Sequence, residues 1–100
     1  MTPAAGSDSS GTIAMIGDGT NGALVKMRNL SAETDGRVYQ LWVQRGETVT
    51  PSTLFDANAD GDAVAVIDED MRDADVVMIT EEPAGGSPTP SGDVVAEVRF

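Results

Sequence analysis

The sequence predicts an all-β fold, a single antiparallel β-sandwich of about seven strands, immunoglobulin-like or similar. From Thr12 onward, short apolar runs alternate with turns rich in Gly, Asp, Asn and Pro about every 8–14 residues, the spacing of sandwiches and barrels. Residues 37–44 and 94–100 alternate with period two, as half-buried strands do. No stretch holds a helical period for longer than a turn or two.

Taken in order, residues 1–11 are rich in Ser, Gly and Ala without periodicity and read as a flexible tail or linker stub, leaving 12–100 as the single domain. Residues 12–16 and 23–27 are expected to pair across Gly17-Asp18-Gly19-Thr20-Asn21-Gly22, whose Asp-Gly and Asn-Gly steps tolerate the positive φ of tight hairpins. After a connector over 29–36, the strand at 37–44 puts Tyr39, Leu41 and Val43 on one face and Val38, Gln40 and Trp42 on the other. A short strand at 53–55 leads through 56–62 into a strand at 63–67. Residues 68–75 are too acidic for a sheet and are expected to form one helical turn. Four consecutive apolar residues begin the strand at 76–81, which should be central and covered on both faces. A long turn over 82–93 precedes the last strand, 94–100. The expected core includes Tyr39, Leu41, Val43, Val98 and Phe100.

Composition narrows the function. A formal charge of −11, from 17 acidic against 6 basic residues, repels phosphate backbones and anionic headgroups, which argues against nucleic acid and membrane-surface binding. The carboxylates are expected to be a solvated coat, with a cationic protein patch as the other reading. No apolar run approaches the ~20 residues needed to cross a bilayer. The chain has no Cys, which removes disulfides, thiolate-held zinc and thiol nucleophiles, and no His, the usual general base at neutral pH. The single lysine, Lys26, lies mid-strand with no Ser at a suggestive spacing. The expectation is a non-enzyme without cofactor.

Three local features stand out. Asp56, Asn58 and Asp60, followed by Gly61, match the first half of a calcium loop. The position that should hold a bidentate Glu is Ile67, and the flanks read as strands. A hairpin turn whose Asx side chains bond their own backbone is the favoured reading, with a weak calcium or sodium site as the alternative. Trp42, the only tryptophan, points away from the Tyr39 face. It is expected to lie beneath the stretch Pro83-Ala84-Gly85-Gly86, the alternative being an anchor for a protein partner. The segment from Glu82 to Pro90 holds three of the five prolines and the adjacent Gly85 and Gly86, and reads as a rigidified loop.

Gly36-Arg37-Val38-Tyr39-Gln40-Leu41-Trp42, the Asp60-Gly61 turn, and Thr80-Glu81-Glu82-Pro83-Ala84-Gly85-Gly86-Ser87 with Pro88-Thr89-Pro90 after it are together similar to a known family. The chain resembles the extracytoplasmic C-terminal domain of anti-sigma-K-type (RskA family) anti-sigma factors from about Ala23 to Phe100. That resemblance implies a domain on the outer face of the cell membrane, in a single-pass parent whose cytoplasmic part holds the sigma factor. It implies regulation through proteolysis of the parent, a protease or another extracytoplasmic protein as partner, and no catalytic residue. Tyr39, Trp42, Glu82, Pro83, Gly85 and Gly86 are then structural or partner-contacting residues. The residues alone also fit a secreted or cell-surface adhesion module with a weak calcium site, or a stand-alone periplasmic binding domain.

Overall fold

The strand at Ala23–Arg28 is the simplest place to see why this chain folds as it does. Ala23, Val25 and Met27 alternate with Leu24, Lys26 and Arg28, so the first three are buried and the last two exposed. A computed structural model of the chain describes residues 2–3, 9–30 and 36–100, with the backbone only at 2–3. It contains β1 (Thr2–Pro3), β2 (Ser10–Met15), β3 (Ala23–Arg28), β4 (Arg37–Arg45), β5 (Thr48–Phe55), β6 (Ala63–Ile67), β7 (Val76–Pro83) and β8 (Val94–Arg99). One sheet has the order β1-β8-β7-β4-β5 and the other β2-β3-β6, and every pairing is antiparallel. The chain crosses between sheets from β1 to β2, β3 to β4, β5 to β6 and β6 to β7, which makes a sandwich. Apart from the two-residue β1 there are seven strands among the described residues, as the sequence predicts. Among the described residues no helix is long and apolar enough to cross a membrane.

The core lies between the sheets. β3 and β6 contribute Val25, Met27, Ala65 and Ile67; β4 and β7 contribute Tyr39, Leu41, Val43, Val77 and Ile79. Tyr39 stacks on Phe55 with ring centroids 5.6 Å apart. Each of the Val, Leu, Ile and Met side chains among these contributes roughly 1.5–3 kcal/mol by leaving water. β7 lies between β4 and β8, central as predicted, and Val76, Val77 and Ile79 are buried while Met78 is half-buried.

Several boundaries differ from expectation. Of the 1–11 segment, residues 1 and 4–8 lie outside the described residues, as do 31–35 of the next connector. Thr2 and Pro3 pair with Glu97 and Ala96, and β2 starts at Ser10. β5 is longer than the expected 53–55: it runs from Thr48 as the second arm of a hairpin around Gly46-Glu47. Pro51 is accommodated because β5 is an edge strand, and the ladder to β4 slips by one residue beside it, between Gln40 and Trp42. Residues 68–75 form no helix, only one hydrogen-bonded turn from the Ala74 amide to the Met71 carbonyl at 3.2 Å. Met71 and Ala74 are buried against the core there, and the acids around them stay exposed or half-buried. Arg45 fastens this segment by pairing with Glu69 and Asp73. Phe100 is 55% exposed, since β8 ends at Arg99, opposite Val76, where the sheet stops. Val98 is half-buried. A bulge in β8 between the partners of Ile79 and Thr80 lets both Val95 and Ala96 reach the core.

Candidate functional site

The outer face of the larger sheet carries Gln40 and Trp42 on β4 beside Thr80 and Glu82 on β7. Gln40 sits opposite Thr80, and Val38 opposite Glu82. Period two sends these four side chains away from the sandwich core, towards what would ordinarily be water. Yet Gln40 is 2% exposed, and Trp42, Thr80 and Glu82 are 0% exposed. The loop over 84–93 folds back across this face and shuts the solvent out.

A chain of hydrogen bonds joins the face to the loop. Trp42 Nε1 donates to Thr80 Oγ1 at 2.8 Å, and Thr80 Oγ1 donates to Glu82 Oε2 at 2.5 Å. From the loop, Ser91 Oγ donates to Glu82 Oε1 at 2.5 Å, while the Ser91 and Gly92 amides both donate to Oε2 at 3.1 Å. Gln40 closes the other side: its Nε2 donates to the Ser87 carbonyl at 3.1 Å, and its Oε1 accepts the Ser87 amide at 2.9 Å. Among the described residues no buried side-chain polar atom lacks a partner.

Glu82 is therefore a buried anion held by hydroxyls and amides. Burial pushes its carboxyl up, but hydrogen bonds from Ser91, Thr80, the Gly92 amide and Ser87 outweigh that and bring it down to about 2. Its hydrogen-bond partners among the described residues are hydroxyls and amides, none of them a cation. An isolated buried charge is costly, and donors fixed by the backbone are the means of offsetting it without a counter-ion.

The loop reaches this geometry through its glycines. Pro83 ends β7 opposite Arg37 and is exposed; it also accepts from the Gly86 amide at 2.9 Å, closing a turn with Gly85 at φ 89°. Positive φ at that third position is the type II signature. Gly86 lies against Leu54 and the Gln40 oxygen, and a Cβ there would come within 2.9 and 3.1 Å of them. The sequence missed Gly92, where a Cβ would stand 1.6 Å from the Glu81 carbonyl oxygen, so backbone lies on backbone. Trp42 is fully buried, but the loop's hydrogen bonds, from Ser87, Ser91 and Gly92, land on its neighbours Gln40 and Glu82. Of the expected cover, Pro83, Ala84 and Gly85 are exposed. Tyr39 belongs to the core on the opposite face of the sheet.

At the Asp56–Asp60 turn, Asn58 Oδ1 accepts the amides of Asp60 and Asp62, both at 2.9 Å, and the Gly61 amide donates to the Asn58 carbonyl at 3.0 Å. The side-chain oxygen best placed for a cation is thus turned onto its own backbone. Among the described residues no group of three or more acidic, His or Cys side chains could hold a metal. A groove of about 340 Å³ between the loop and β5 is lined by residues such as Gln40, Pro51, Leu54 and Pro88, with no ionisable side chain to move a proton.

Fold and site together define a small β-sandwich module whose polar cluster is sealed from solvent and fastens a loop. The chain belongs to the family described as anti-sigma-K factor RskA, C-terminal, which it matches over residues 1–94. It is 33% identical over 90 residues to a Streptomyces griseus protein described as "Uncharacterized protein in phr 5'region", covering 90% of this chain and 37% of that protein. It is 28% identical over 78 residues to anti-sigma-K factor RskA of Mycolicibacterium vanbaalenii, covering 78% of this chain and 33% of that protein. The chain thus spans about a third of the length of the curated relatives it matches. No solved structure matches it significantly.

Proposed function

We propose that this domain is the extracytoplasmic regulatory part of a membrane-anchored anti-sigma factor, and that its folded state controls how readily the parent is cut to release its sigma factor. The match to the C-terminal family over residues 1–94 is the observation that carries this reading. The sealed cluster supports it: a face that buries Trp42, Thr80 and Glu82 offers a substrate nothing to react with, while a loop tied to a buried carboxylate makes local order switchable. The domain works through order and access, with no chemistry of its own. Sigma-factor contact is assigned to the cytoplasmic part of the parent, and the contacts open to this domain are a protease or another extracytoplasmic protein.

The test uses the full-length parent in cells, comparing the wild type with Trp42→Ala. The expected outcome is altered cleavage of the parent and altered sigma-dependent transcription, with sigma-factor binding by the cytoplasmic part unchanged. Unchanged cleavage with the outer domain demonstrably unfolded would defeat the reading. A parent gene that encodes no membrane span would defeat it outright.

A further inference from the structure

We propose that Thr89 is an acceptor site for O-linked glycosylation, with a sugar activated as a phosphate ester as the donor class. Residues 87–91 read Ser-Pro-Thr-Pro-Ser, three hydroxyls separated by two prolines. Segments rich in Ser, Thr and Pro are the composition on which O-linked sugars are carried. The structure separates the three hydroxyls. Ser91 Oγ is committed to Glu82, and Ser87, 3.4 Å from Ser91 Oγ, also hydrogen-bonds that carboxylate. Thr89 is exposed and makes no hydrogen bond among the described residues.

Its backbone is presented as well as its hydroxyl. Pro88 and Pro90 fix their own φ and carry no amide hydrogen to bond elsewhere, and the chain bends at Pro88 and Thr89. Both shoulders of the segment are fastened, at Ser87 by Gln40 and at Ser91 and Gly92 by Glu82. The result is a short bent loop that draws Ser87 and Ser91 together and leaves one exposed hydroxyl at its tip. A transferase that accepts a Thr-Pro step at the tip of a bent loop meets that shape already formed.

In the transfer, Thr89 Oγ1 forms a bond to the anomeric carbon of the sugar. The bond from that carbon to the donor's phosphate oxygen breaks, the phosphate leaves with the electron pair, and the hydroxyl proton passes to a base of the transferase. Electrostatics favours a neutral sugar over phosphorylation at the same Thr-Pro step. A phosphoryl group would add about two negative charges to a chain already at −11, on a loop without Lys or Arg over 84–93.

The experiment isolates the full-length parent from its own host and analyses the tryptic fragment 73–99 by mass spectrometry, with fragmentation that localises the modification. The expected result is one or more hexose-type increments on Thr89, absent in Thr89→Ala and retained in Thr89→Ser. An unmodified fragment, a phosphate increment, or sugar confined to Ser87 or Ser91 would overturn the assignment. Digestion of intact cells with an external protease, run in parallel, reports which side of the membrane the domain occupies. A sugar-free fragment from a domain found outside overturns the glycosylation alone. A glycosylated fragment from a domain found inside leaves the glycosylation standing and defeats the extracytoplasmic reading.

Discussion

Glu82 and Trp42 divide one task at the residue scale, Trp42 filling space beneath the loop and Glu82 supplying the charge that binds it. The folded carboxyl sits at about 2 against an ordinary 4.5, so its contribution is fully present above about pH 4.5 and is lost as pH falls towards 2. The difference corresponds to about 3 kcal/mol. Glu82→Gln should be less stable at neutral pH, because an amide hydrogen would face the donors of Ser91 and Gly92. The gap between wild type and variant should narrow between pH 5 and pH 2.5. Denaturant melts at several pH values check this, and taking the difference cancels the titration of exposed acids such as Asp70. Trp42→Ala should cost about 3–5 kcal/mol, the usual large-to-small penalty, and should also leave Thr80 without its indole donor. Trp42→Phe should cost less. If Trp42→Ala leaves the thermal midpoint unmoved but abolishes binding of a purified partner, the indole is an interface anchor instead.

At the scale of elements, the loop over 84–93 is rigid for reasons that rank its glycines. A Cβ at Gly85 meets nothing within 4 Å, so Gly85→Ala carries only the strain of positive φ, about 1 kcal/mol. Gly92→Ala would drive a methyl into the Glu81 carbonyl and pull two amides off Glu82, and should cost several-fold more. Equal losses for the two variants in thermal melts would contradict this packing. The sequence made the turn at Gly85 and Gly86 legible because its chemistry is local. Gly92 was not, because its neighbour Glu81 is eleven positions away and the close approach exists only once β7 and β8 pair. Similarly, Pro51 hid the first half of β5, since a proline argues against a strand until the strand is known to be an edge. Met71 gave a signal that acidity masked: one large apolar residue among carboxylates at 68–75 marks a plug for the core.

For the whole molecule, alternation and turn spacing were enough to give two sheets and the burial of Tyr39, Leu41 and Val43, because every strand needs one dry face. The second dry face, outside the larger sheet, was legible only as an expected cover over Trp42 and a covered strand at 76–81, not as a polar cluster. Gln40, Thr80 and Glu82 were not joined into one cluster by the sequence, and only the return of Ser87, Ser91 and Gly92 from the far end of the chain makes them interior. The uncompensated surface has a bulk consequence: at −11 the compact state repels itself, so sodium chloride should raise the melting temperature. Calcium at matched ionic strength should add no more than its screening as a divalent ion, because Asn58 Oδ1 is engaged with Asp60 and Asp62. A calcium-specific rise of more than about ten degrees, abolished by Asp56→Ala, would restore the calcium loop. Finally, the one indole of this chain sits in a dry pocket beneath the loop, so the protein carries its own fluorophore at its switchable point. Its emission should be blue-shifted and insensitive to iodide while the loop is closed. A red shift that precedes loss of the far-ultraviolet strand signal would then report the loop lifting from an intact sandwich, by light alone.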